Sequence, residues 1–165
     1  MSNISIKSLL IVLLLTAGIF SISTKLLSSN LTYAQTSSTP SSSGTGDLKK
    51  TTSAGALDIL LQISPQPIGH TDPTSFKIKF MTKGTDTVQP HIDYDVIIND
   101  SNGKQVFQAS ELAGQQGKPL HTAEGIVTIP YTFQSAGDYS INVTIYGILF
   151  SPIKPESVDF IIKVA

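Results

Sequence analysis

The chain contains no cysteine, no tryptophan and no arginine, so all 11 of its basic residues are lysines. Without thiols it builds no disulfide framework, thiolate zinc site, iron–sulfur cluster or cysteine nucleophile, and the His₂Cys blue-copper site is excluded as well. Twelve acidic residues against 11 lysines leave a net charge of −1. Such a balance, without arginine, gives no basic patch to track phosphates, so no nucleic-acid partner is expected. The motifs of common catalysis are missing too. There is no nucleophile elbow, no phosphate-cradling glycine loop and no HExxH, and paired carboxylates on an open sheet face lack the dry cleft that separates their pKa values. The chain reads as a non-enzyme.

What is present divides the 165 residues into three compositions. Residues 1–34 hold 19 hydrophobic residues, 35–55 hold two (Leu48 and Ala54), and 56–165 hold 45. In the first segment Lys7 precedes an apolar stretch from Leu9 to Leu15, continued through Ile22 and followed by Lys25. A run of about 14 apolar residues suits the core of an export signal and falls short of the ~20 needed to span a bilayer. Thr32-Tyr33-Ala34 offers small residues for cleavage before Gln35; an uncleaved anchor over Leu9 to Leu27 is the alternative. Both readings place the remainder outside the cytoplasm, secreted or tethered to the outer face of the membrane. Removing Lys7 and Lys25 leaves nine basic against 12 acidic residues, a charge of −3.

Residues 35–55 contain 15 Ser, Thr, Gly or Pro out of 21. That composition buries too little apolar surface to offset chain entropy and predicts a disordered spacer. The foldable unit is then 56–165, long enough for one core.

From Ala56 onward short β-rich runs are broken by turn residues, and no stretch carries a sustained helical period. Seven strands are expected, over 56–63, 75–82, 91–99, 104–108, 125–133, 139–146 and 156–164. Alternation sends Phe76, Ile78 and Phe80 inward on the second, Ile92, Tyr94, Val96 and Ile98 inward on the third, and Val158, Phe160, Ile162 and Val164 inward on the last. Asp100-Ser101-Asn102-Gly103 is a tight turn pairing the third strand with the fourth. Pro130 removes a ladder donor from the fifth, which places it at a sheet edge. The fold class is all-β, a seven-stranded immunoglobulin-like sandwich with a fibronectin-III-like division of strands.

The run Phe133-Gln134-Ser135-Ala136-Gly137-Asp138-Tyr139-Ser140-Ile141-Asn142-Val143 resembles the turn into the sixth strand of exported Ig-like and cupredoxin-like sandwiches. Tyr139 takes a place similar to the tyrosine corner of such domains, with an ordinary buried tyrosine as the equal alternative. The layout is also similar to small exported sandwiches of the copper-resistance kind, although Met81 is the sole methionine of the domain. These resemblances concern topology and imply no activity.

Strand direction alternates, so the connections before the third strand, before the fifth and before the seventh gather at one end of the sandwich. His91 and His121 fall at that end and His70 at the other. His91-x-Asp93-x-Asp95 lines one strand face, but alternate residues lie ~6.5–7 Å apart, too far to close around one ion unaided. A metal site would join His91 and Asp93 to His121, with Glu124 as a further ligand. Imidazoles and carboxylates without sulfur suit copper or zinc better than calcium. The competing reading is a solvated face in which Lys163 pairs with the carboxylates; no resident cofactor is then expected.

Two connections stand out. Residues 109–122 form a long loop, with a short helical turn at 109–113 as its structural alternative. Residues 147–155 are apolar, and Ile148, Leu149 and Phe150 are candidates for contact with a partner, unless Ile148, Phe150 and Ile153 fold back as a plug. Asn99-Asp100-Ser101 and Asn142-Val143-Thr144 are glycosylation sequons, the candidate attachment sites of a glycoprotein. The preferred function is a non-catalytic exported sandwich presenting its loops to an envelope or extracellular protein, a glycan or a membrane surface. The alternative is extracytoplasmic handling of copper or zinc.

Overall fold

The computed structural model describes residues 46–165; the expected signal segment and most of the expected spacer lie outside the described residues. Among those described, no helix is long and apolar enough to cross a membrane. The elements are β1 (Gly46–Thr51), β2 (Leu57–Ser64), β3 (Pro73–Thr82), β4 (Ile92–Asp100), β5 (Gln105–Gln108), α1 (Ala109–Leu112), β6 (Leu120–Thr122), β7 (Ile126–Thr132), β8 (Gly137–Ile148) and β9 (Ser151–Val164). They form two antiparallel sheets, β1-β2-β3-β7 and β5-β4-β8-β9, with β6 also pairing to β4.

Period-two alternation explains the core. Leu57, Ile59, Leu61 and Ile63 of β2 and Phe76, Ile78 and Phe80 of β3 are buried against Ile92, Val96 and Ile98 of β4, Ile141, Val143 and Ile145 of β8, and Phe160 of β9. Each such side chain contributes about 1.5–3 kcal/mol of transfer free energy. As the proline predicts, β7 is an edge strand, pairing only with β3, with Pro130 opposite Ser75. Phe133, fully buried, closes one end of the sandwich, its ring 4.6 Å from that of Tyr139, 4.9 Å from Tyr131 and 6.0 Å from Phe76. There the Tyr139 hydroxyl donates to Ser135 O at 2.9 Å. That tyrosine is both buried and tied back to its own turn.

Two strands depart from the seven expected. The first corrects the spacer boundary: Gly46–Thr51, within the stretch expected to be disordered, is β1, paired to β2 from Gly46↔Ile63 to Thr51↔Asp58. Its side chains are largely exposed, so burial does not hold it. Backbone ladder bonds and two carboxylates do. Asp58 accepts from the Thr51 hydroxyl at 2.7 Å and from Gly84 N–H at 2.9 Å. Glu156 accepts from the Thr52 hydroxyl at 2.7 Å and from Ala56 N–H at 3.1 Å. The Thr51 hydroxyl, then the Gly84 N–H, lower the Asp58 pKa against the opposing effect of burial, with Lys49 assisting. The Thr52 hydroxyl does the same for Glu156, again against burial.

The second unexpected strand is β6, inside the loop expected over 109–122. After β5 the chain makes the single turn of α1, then returns to the same edge of β4, pairing Ile92↔Thr122, Asp93↔His121 and Tyr94↔Leu120. The apolar segment 147–155 is no open loop either. β8 continues to Ile148 and β9 starts at Ser151, leaving a two-residue hairpin turn of Leu149 and Phe150. Pro152 and Pro155 are accommodated because β9 is an edge strand.

Candidate functional site

At the end of the sandwich opposite Phe133, three backbone features converge on His91. Its φ is 54°, and Leu149 and Phe150 also take positive values of 50° and 63°. This left-handed region costs a residue with a Cβ on the order of 1 kcal/mol or more, and such residues concentrate at functional sites. The His91 N–H donates to Ala123 O at 3.2 Å, and its carbonyl accepts from Leu149 N–H at 2.8 Å. His91 thereby clips the end of β6 and the β8–β9 hairpin to the start of β4.

Pairing of β6 with β4 puts His121 directly across from Asp93. The His121 Nδ1–H donates to Asp93 Oδ1 at 2.7 Å. A carboxylate only accepts, so this contact fixes the proton on Nδ1 and leaves Nε2 of the neutral ring with a lone pair. That nitrogen faces His91 Nδ1 at 3.4 Å. The Phe150 ring stacks beside both imidazoles, with centroids 4.2 Å from His91 and 5.6 Å from His121.

Glycines make the arrangement fit. Gly147 lies opposite Asp93 on β8, and a Cβ there would collide with the Asp93 carboxylate. Gly125, at φ 69°, lets the β6–β7 turn approach the Gln89 carbonyl, which any larger residue would strike. Neither residue figures among the sequence candidates. A glycine opposite a carboxylate becomes meaningful only once the strand register is known.

Of the candidate ligands, His91, Asp93 and His121 come together, but with distinct geometry. Asp93 contacts the far nitrogen of His121 rather than the space between the imidazoles. Glu124 stays exposed in the β6–β7 turn, and among the described residues no group of three or more His, Asp or Glu side chains is placed to hold an ion. Asp95 does not share a solvated face with them: it is 5% exposed and accepts from Ser110 Oγ at 2.6 Å, Gln108 Nε2 at 2.7 Å and Ser110 N–H at 3.0 Å. The α1 turn covers it, and its role is to anchor that turn to β4. Lys163 does not pair with Asp95, because the register sets it across from Asp138. His70 sits at the other end, its Nδ1 2.7 Å from Ala165 O.

The partner candidates divide. Ile148 packs against the core, as does Ile153, whereas Leu149 and Phe150 are 54% and 72% exposed. The tip therefore projects, and its two flanks serve as the plug. Asn142 of the second sequon holds Asp159 through Nδ2 at 2.9 Å and accepts from Thr144 Oγ1 at 2.8 Å. Asn99, half-buried, pairs with Ser140 near the β4–β5 turn.

No protein-family model matches the chain, and no curated protein matches it. Among solved structures it is similar to the PmoD soluble domain from Methylocystis sp. ATCC 49242 (Rockwell), at 16% identity and a TM-score of 0.46, over 70% of this chain and 97% of that one.

Proposed function

We propose that the chain is a non-catalytic, extracytoplasmic sandwich of the Ig/fibronectin-III kind that handles zinc or copper through His91 and His121. The observation that carries this reading is the 3.4 Å separation of His91 Nδ1 and His121 Nε2. Two nitrogens bound to one tetrahedral ion at about 2.0–2.1 Å lie about 3.3–3.4 Å apart, whereas neighbouring nitrogens in a square plane lie about 2.8–3.0 Å apart. At 3.4 Å the two nitrogens are near enough for one zinc or copper ion to be held by both. The Nδ1–H that His121 gives to Asp93 leaves its Nε2 to accept from His91 Nδ1–H. To hold an ion, the pair would need His91 in its Nε2–H tautomer, with Nδ1 then free to ligate beside His121 Nε2.

Asp93 then acts through His121. Histidine ligands commonly donate their second N–H to a carboxylate, which sets the tautomer and raises the basicity of the ligating nitrogen. Phe150 holds the imidazoles from the side. The reading is tested by purifying residues 35–165 without a histidine tag and measuring zinc and copper affinity by competition with a chromophoric chelator. His91→Ala and His121→Ala should each weaken binding at least tenfold. A wild-type domain binding no better than the double variant would remove it.

A further inference from the structure

We infer that the His91–His121 pair is half of a metal site, and that a second copy of this chain supplies the other half as a second pair of imidazoles. The inference rests on the metal reading above and adds the identity of the missing ligands.

A tetrahedral site in a protein takes four donors, and a structural site takes all four from protein. The chain is short of them. It has no cysteine and three histidines, and His70 is at the far end of the sandwich beside Ala165. Residues 1–45 contain no His, Cys, Asp or Glu, so that stretch brings no such side chain to the ion. Asp93 is engaged with His121 Nδ1, and no third His, Asp or Glu joins the pair among the described residues. Residues 1–165 therefore give this site no further imidazole or carboxylate within one copy, and we take the remaining donors from another molecule.

The second copy is the occupant that the geometry favours. Two nitrogens on a tetrahedral ion would span one edge of the tetrahedron, and its opposite edge is related to the first by a two-fold axis through the ion. An isologous contact places identical groups on both sides of such an axis, and twofold dimers are the commonest closed assemblies. The pair lies at a projecting end, with the His121 side chain 41% exposed and Leu149 and Phe150 exposed beside it. Charge also balances: two Asp93 carboxylates, one behind each His121, offset the two positive charges of a zinc ion.

The contact depends on the ion. A stable interface buries roughly 1,200 Å² or more, and two apolar side chains per copy supply far less. A contact at this end is accordingly too small to persist without the ion, and the metal is its principal adhesive.

The experiment is a Zn(II) titration of the full untagged chain, with mass followed by light scattering during size-exclusion chromatography and bound zinc counted in the same fractions. A doubling of mass that saturates at one zinc per two chains, and reverses with EDTA, is expected. His121→Gln, an exposed substitution that should leave the fold intact by circular dichroism, should abolish the doubling, and His91→Gln should do the same. One zinc per chain in a monomer would overturn the dimer while leaving the metal reading in place. No bound zinc and no bound Cu(I) would overturn both. A doubling that persists in both glutamine variants would also overturn it, since the contact would then be independent of the imidazoles.

Discussion

At one end of the sandwich His70 gives its backbone N–H and its Nδ1 to a single oxygen, Ala165 O, at 3.0 and 2.7 Å. Nearby, Phe133 packs with Phe76, Tyr131 and Tyr139, and the Tyr139 hydroxyl is satisfied by Ser135. At the other end His91 and His121 turn ring nitrogens toward each other and Phe150 stands exposed. Positive φ at residues carrying a Cβ occurs at both ends, at Thr71 beside His70 and at His91, Leu149 and Phe150 here. One end commits its aromatic residues to burial and the polar groups of His70 and Tyr139 to internal bonds. The other holds two imidazoles against each other at an exposed edge, beside the projecting Phe150. Stability and binding are therefore expected to respond to different residues.

Three substitutions can break or sharpen that contrast. The largest effect belongs to the closed end: Phe133→Ala removes a fully buried ring and should cost about 3–5 kcal/mol, read as a lower urea midpoint, while the folded fraction keeps its zinc affinity. Next, Gly147→Ala displaces the Asp93 carboxylate from His121. Loss of such an orienting partner lowers metal affinity by about 10- to 100-fold, and chelator competition should show this with a small change in urea midpoint. The smallest effect has the opposite sign. Replacing Leu149-Phe150 by Asn-Gly, the pair suited to a two-residue hairpin with positive φ, should raise stability by about 1 kcal/mol. If that variant is less stable than wild type, the tip contributes packing that its exposure conceals, and the contrast between the ends is weaker than drawn.

Much of this was legible from residue order. The inward sets on β3, β4 and β9 and the assignment of His91 and His121 to one end follow from a period of two and alternating strand direction, and the edge position of β7 follows from Pro130. β1 was not legible, because Thr and Lys side chains gave no apolar pattern; its support comes from Asp58 and Glu156, the latter 100 or more residues away from the groups it binds. β6 was hidden for a similar reason. Three residues are too few to show a period, and their pairing to β4 is set by where α1 returns the chain.

The sequence by itself determined the material: two half-apolar sheets, no thiol, three histidines, and a charge balance unsuited to nucleic acid. These follow from composition and alternation, which are local properties. Only the tertiary structure decided that Asp93 orients His121 while Asp95 is buried under α1, and that Gly147 leaves the room Asp93 needs. Those outcomes depend on strand register, and a shift of one residue would exchange the faces on which these side chains stand. Register is fixed by the whole set of pairings around β4, with β6 on one side and β8 on the other.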